Sequence, residues 1–262
     1  MVNYMKVNVI IGRVIFYIML IIIIISFGIF VVMKNKPKLE QEVYSNIKKQ
    51  SNYIYNIQKQ EKQEVALSKN IMKLQELQKV NSDIVALIKI EGTNINYPVM
   101  QGEDNSYYMT HNYKKQKSKE GEIFLDKDYD WSLPSTNLLI YGHNNIGSNE
   151  MFAGLMKYKQ ESFYKKHKII EFITNEEEEK YEIISVFLAR VYYKHEKNVF
   201  RYYYFINANS KQDFDNFINN CKKASLYEIK ETAAYGDKLM TLSTCEYSRT
   251  NGRLVVVAKK VV

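Results

Sequence analysis

Cysteine is scarce in this chain of 262 residues, with only Cys221 and Cys245 present. That excludes a disulfide-rich scaffold, a four-cysteine zinc site and an iron–sulfur cluster held by four thiolates. Three prolines and ten glycines exclude collagenous and proline-rich designs. Acidic side chains are absent from the first 38 positions. What is abundant is apolar and aromatic: 46% of residues are hydrophobic, with 22 Tyr and 12 Phe. A chain of that composition is not disordered, and its length suffices for one substantial core or two small ones.

A formal net charge of +8 normally raises the prospect of a nucleic-acid partner. The distribution of the charge argues otherwise. Lys6, Arg13, Lys34, Lys36 and Lys38 give the first 38 residues +5, which leaves only +3 for the remaining 224. Between those basic groups, residues 14–33 form a run of 20 without a charged side chain. At about 1.5 Å of rise per residue such a helix matches a bilayer's hydrocarbon core. The run is longer than the apolar region of a cleaved signal peptide, so an uncleaved single-span anchor is expected. The flanking charge then meets lipid head groups, and nucleic acid is not an expected partner. Basic residues are more numerous on the C-terminal side of the run, which by the positive-inside rule favours a cytoplasmic main domain.

Residues 39–80 are rich in Gln, Lys, Glu and Asn, with apolar positions spaced by 3, 4 and 7 and a gap near 58–64. That pattern predicts one or two amphipathic helices forming a stalk over 34–80. From 81 onward the pattern becomes short β-like runs. Eight strands are expected, at 84–90, 95–100, 122–125, 137–141, 168–173, 180–190, 238–244 and 253–261, with 176–179 as a solvated hairpin tip. Helices are expected at 149–158 and 211–224, the second burying Phe214, Phe217, Ile218 and Cys221 on one face. Mainly β with small helical insertions suggests a closed or nearly closed barrel.

Three residues can carry chemistry. Cys245 ends the strand Lys238-LMTLST-Cys245, whereas Cys221 completes a buried helical stripe. Nucleophile, core thiol and a disulfide to Cys221 are all open to Cys245 at this point. His143 follows an apolar run in Tyr141-Gly142-His143-Asn144; His111, His167 and His195 sit in polar stretches expected at the surface. Arg253 begins the strand after Cys245, and a guanidinium beside a thiol favours thiolate and can stabilise an oxyanion. No metal-ligand spacing or acidic calcium-type cluster is present, and no cofactor is expected.

Taken together, Tyr141-GHN, Thr241-LSTC and Arg253-LVVVAK resemble the sortases, class B in particular, over residues 81–262. Thr93-NINYPV, Asp104-NSYY and Gly121-EIFLD agree, and the helix at 211–224 is similar to the insertion that marks class B. The resemblance implies an eight-stranded sortase-type β-barrel with helical insertions, preceded by the transmembrane helix and stalk. It implies a short cytoplasmic tail at 1–13, an anchor at 14–33 and an extracellular catalytic domain at 81–262, against the flanking-charge rule. It further implies a cysteine transpeptidase that cleaves an Asn-Pro-X-Thr-Asn/Gly-like sorting signal after Thr. The acyl group would pass from Cys245 to an amine of a peptidoglycan precursor, or to a pilin Lys in polymerising members. On that analogy His143 is the acid–base, Arg253 steadies the oxyanion, and Ser243, Glu246 and Tyr203 contact substrate. Some class B members carry Asp where this chain has Tyr247, so an acid at that position plays no part here. The competing reading is a non-enzymatic membrane-anchored surface scaffold, which would be favoured by a buried or disulfide-bonded Cys245. A papain-like hydrolase would place its Cys before its His, the reverse of the order here.

Overall fold

The computed structural model describes the backbone of residues 2–261. It describes the side chains of 17–31, 45–46, 48–62, 64–67 and 69–261. The chain divides into two compact units, residues 1–65 and 66–262. The first is helical, part of α1 (Val2–Val80). The lapse in apolar spacing near 58–64 does not interrupt α1. Neither Gly nor Pro occurs between 38 and 91, and Gln, Glu and Lys are good helix formers. The ends of the apolar run 14–33 lie outside the described side chains. Among the described residues no helix is long and apolar enough to cross a membrane.

The second unit starts earlier than the sequence boundary at 81 because Leu74, near the end of α1, is fully buried. It packs with Ile84, Leu87, Met100, Tyr108 and Phe124. Eight strands follow: β1 (Ile84–Ile90), β2 (Asn96–Met100), β3 (Ile123–Leu125), β4 (Asn137–Tyr141), β5 (Ile169–Ile173), β6 (Glu178–Arg190), β7 (Leu239–Cys245) and β8 (Gly252–Lys260). They close into a barrel in the order β1-β2-β3-β4-β7-β8-β6-β5. Closure leaves no open sheet edge, so backbone donors and acceptors along the strands are paired. The β2–β3 and β4–β7 pairs are parallel, and the remaining pairs antiparallel. Alternate inward residues, among them Ile88, Val99, Ile123, Ile140, Met240 and Val256, form the interior core.

Two expectations for the outer elements change. Residues 151–159 form a 3₁₀ segment, followed by the short α2 (Glu161–Lys166), where a single helix at 149–158 was expected. The acidic run 176–179 is only partly a tip: Glu178 and Glu179 already belong to β6, and Lys260 binds Glu177 and Glu179, each at 2.8 Å. Charge pairing across the sheet thus draws residues into the strand that their composition assigns to solvent. The second helix, α3 (Lys211–Ala224), forms as its spacing predicts. Ser210 caps it by accepting the Asp213 N–H at 3.1 Å, and Phe214, Phe217, Ile218 and Cys221 pack on Leu139, Ile184, Phe187 and Val255.

Candidate active site

The parallel β4–β7 pair sends two chain segments out of the same end of the barrel, with Tyr141 opposite Ser243. The antiparallel β7–β8 pair brings the next strand back, with Cys245 opposite Arg253. The connection between β7 and β8 is tight. The Glu246 N–H donates to Gly252 O at 3.0 Å, and the Gly252 N–H donates to Arg249 O at 3.1 Å. A Cβ on Gly252 would lie 2.3 Å from Glu246 O, so this close approach requires glycine. Cys245, Arg253 and His143, which follows β4, therefore share the wall of one cavity of about 400 Å³.

Loop contacts fix these three groups. His143 Nε2 lies 2.8 Å from the Met109 carbonyl oxygen. A carbonyl only accepts, so Nε2 carries a proton and Nδ1 is left to exchange one. Thr244 Oγ1 donates to Gly142 O at 2.8 Å, and Asn144 Nδ2 donates to Cys245 O at 2.9 Å. The Tyr247 hydroxyl donates to Asn144 O. The segment after β4 and the hairpin after β7 are thus clasped three times. Arg253 is held by Nη1 donating to Gly252 O at 2.8 Å, which leaves its other N–H groups for the cavity.

Both thiols are free. Cys245 is partly exposed at the cavity, whereas Cys221 is wholly buried and burial pushes its thiol well above the ordinary range. A buried, protonated thiol is inert, so the two cysteines separate as the sequence contexts suggested. The disulfide alternative does not form.

Ser243 and Tyr203 line the cavity, as does Tyr202. Ser243 Oγ and the Tyr202 hydroxyl share a 2.7 Å hydrogen bond, and burial pushes Tyr202 up to about 12. The Tyr203 hydroxyl accepts the Tyr192 N–H at 3.1 Å, which orients its ring. Glu246 does not reach the cavity. Its N–H is committed to Gly252 O, and its carboxylate, only 4% exposed, binds Lys159 Nζ at 2.5 Å. Burial opposes ionisation there, but Lys159 and Ser248 outweigh it and hold the carboxyl below its ordinary value. Glu246 is therefore a support beneath the hairpin and is not among the residues that line the cavity.

Several lining residues escape a reading by motif. Asn105 is locked by donating to Asp126 Oδ2 at 2.9 Å and accepting the Lys127 N–H at 2.8 Å. Asp126, 4% exposed, also accepts from the Tyr141 hydroxyl at 2.9 Å. Met109 contributes a carbonyl, which no side-chain pattern reveals. Among the described residues no group of three His, Cys, Asp or Glu side chains is placed to hold a metal ion.

A closed barrel carrying a free thiol, an imidazole and a guanidinium on one cavity defines a thiol-dependent acyl-transfer enzyme. Comparison with known proteins makes the class specific. The family model for the sortase domain matches residues 88–261. Sortase B of Staphylococcus aureus is 34% identical over 249 residues, covering 92% of this chain and 93% of that protein. Sortase B of Listeria monocytogenes is 33% identical over 190 residues, covering 72% and 74%. The Staphylococcus aureus sortase B–substrate complex superposes with a TM-score of 0.65 at 33% identity, covering 76% of this chain and 90% of that one. Clostridium perfringens sortase B gives a TM-score of 0.65 at 32% identity, covering 72% and 99%. The chain belongs to the sortase family, and like the sortase B proteins it matches it is a cysteine transpeptidase.

Proposed function

We propose that this enzyme cleaves a C-terminal sorting signal of the Asn-Pro-X-Thr-Asn/Gly type after Thr and transfers the protein to an amine of a cell-wall precursor. The observation that carries the reading is the cross-strand pair of Cys245 and Arg253 on the same cavity wall as His143. Cys245 Sγ passes its proton to His143 Nδ1 and, as thiolate, attacks the Thr carbonyl carbon, and the carbonyl electron pair moves onto oxygen. The Arg253 N–H groups not bonded to Gly252 O neutralise that oxyanion. The C–N bond then breaks, the leaving amine takes a proton from His143 Nδ1, and a thioester remains on Cys245. The acceptor amine attacks that thioester, His143 takes its proton, and the C–S bond breaks to return the thiolate. With the Glu246 N–H committed to Gly252 O, Arg253 carries the oxyanion in this scheme. Ser243, through its bond to Tyr202, and Tyr203 form the wall against which the signal lies.

The apolar run 14–33 serves in this reading as a single-span anchor, with 1–13 as a cytoplasmic tail and 34–80 as a stalk. The acceptor chemistry then places the catalytic domain on the outer face of the membrane. The test is cleavage of a fluorogenic Asn-Pro-Gln-Thr-Asn peptide by the full chain. Cys245→Ala and His143→Ala each lower kcat/KM by at least 10³-fold with an unchanged circular dichroism spectrum. Cleavage by Cys245→Ala at the rate of the parent chain contradicts the mechanism.

A further inference from the structure

The segment 107–121, between β2 and β3, which we call the strap, puts Met109 in the cavity wall and supplies the Met109 carbonyl that receives His143 Nε2–H. Asp83 holds the strap from outside, accepting the Tyr108 hydroxyl at 2.6 Å and pairing with Lys115 at 3.1 Å, and one residue at its C-terminal foot holds it from within. The Glu122 N–H donates to Tyr108 O at 2.8 Å, one residue from Met109. Its carboxyl oxygen Oε2 accepts the Tyr113 N–H at 3.1 Å, in the middle of the strap. Gly121, with φ +58°, presses the chain so close that a Cβ there would lie 2.7 Å from Met109 O. Asn81 shares the task by donating to Tyr113 O at 2.8 Å and to the Tyr108 hydroxyl at 2.9 Å.

The placement of Glu122 relative to His143 follows from register. Phe124 pairs with Tyr141 and Leu125 with Ile140 in the antiparallel β3–β4 ladder. Extending that count by two positions leads to Glu122 on one strand and His143 on the other. The contact between Ile123 and the Gly142 backbone supports the count, since a Cβ on Gly142 would lie 3.2 Å from Ile123 Cγ1.

Glu122 is only 3% exposed, and among the described residues no cation pairs with its carboxyl. The groups facing it are Tyr97 of β2, which also feels Glu150, the Tyr113 N–H of the strap, and its neighbour Ile123, whose N–H donates to Oε1 at 3.4 Å. Lys114 lies over the Tyr113 ring at 5.6 Å instead of on the carboxylate. A buried carboxyl without a cation is costly to ionise.

We propose that Glu122 is a positioning residue for His143, holding the strap so that the Met109 carbonyl fixes the imidazole at the cavity. The inference rests on the reading of His143 as the acid–base of the transpeptidase. Burial raises the Glu122 carboxyl to about 7, so it changes charge near neutral pH. Burial outweighs the Tyr113 and Ile123 N–H bonds that favour the ionised form, so the carboxylate is less costly once the strap opens to water, and the strap is held more firmly below pH 7 than above it.

The test uses the full chain as parent, Glu122→Gln and Glu122→Ala. From pH 6 to 8 the parent's kcat falls about threefold or more relative to Glu122→Gln, with KM within twofold. Glu122→Ala loses about tenfold in kcat at both pH values, and Glu122→Gln recovers most of that loss at pH 6. Hydrogen exchange at the Tyr113 amide, corrected for its intrinsic pH dependence, gives an answer independent of turnover. Protection falls through pH 7 in the parent and stays flat in Glu122→Gln. A chain that shows this switch but cleaves no peptide contradicts the transpeptide reading and leaves the strap intact. Superposable kcat profiles and superposable exchange for parent and Glu122→Gln overturn the proposal.

Discussion

Cys245 and Cys221 have the same side chain and different surroundings, and the difference decides reactivity. Cys221 is wholly buried under α3, while Cys245 meets the cavity beside a guanidinium. A methanethiosulfonate reagent applied to the folded chain should therefore label Cys245 within minutes and leave Cys221 untouched until denaturant is added, as read by peptide mass mapping. The Tyr247 hydroxyl acts at the same scale by closing the clasp to Asn144 O. A hydrogen bond is worth about 0.5–1.5 kcal/mol, so Tyr247→Phe should lower kcat by roughly two- to tenfold with little change in melting temperature. Glu122 links activity to stability with the same sign. Its folded carboxyl is raised from 4.5 to about 7, so the folded state holds a proton that the unfolded chain has released. Stability is then greatest below the unfolded value and falls as pH rises through about 7. Glu122→Gln should match the parent at pH 4 and exceed it at pH 8 by up to about 3 kcal/mol in denaturant titrations.

Elements carry the geometry that single residues cannot. The β7–β8 hairpin sets Cys245 against Arg253, and its closure depends on the close approach at Gly252. Gly252→Ala should open the Glu246–Gly252 bond, displace Arg253 and reduce kcat/KM by about a hundredfold, with peptide KM measuring any loss of binding. Strands β1 and β4, and α3, were legible in full because their apolar spacing is uninterrupted and turn residues bound them. The segment at 151–159 was not, because 3₁₀ and α turns share an apolar spacing near three. Glu178 and Glu179 were not legible either, since the Lys260 that recruits Glu179 lies about eighty positions away. At the site, Cys245, His143 and Arg253 could be read because each sits at a strand end in a distinctive motif. The place of Glu246 could not be read, because its partners Gly252 O and Lys159 come from the turn after β7 and from a segment nearly ninety positions away. Met109 and Asn105 could not be read, as their roles arise from hydrogen bonds to residues more than twenty positions away that no local pattern encodes.

The whole molecule combines a basic, apolar N-terminal segment with a barrel whose charge is nearly balanced. Barrel closure was suggested by eight short strands, but the order β4-β7-β8-β6 comes from long-range pairing that local pattern does not encode. That order is what brings motifs a hundred residues apart onto one cavity. In the proposed reading the apolar run 14–33 keeps the chain at the membrane. The full chain should remain with the membrane fraction after carbonate washing, and deletion of residues 1–33 should release it. The central claim, that Cys245 carries the acyl group, is tested most directly by mass spectrometry. The full chain is mixed with an Asn-Pro-Gln-Thr-Asn peptide without acceptor amine and quenched in acid. The account predicts a mass gain equal to the peptide fragment ending in Thr, mapped to Cys245 and absent from Cys245→Ala. Peptide cleavage with no adduct on Cys245, or with the adduct on another residue, would contradict it.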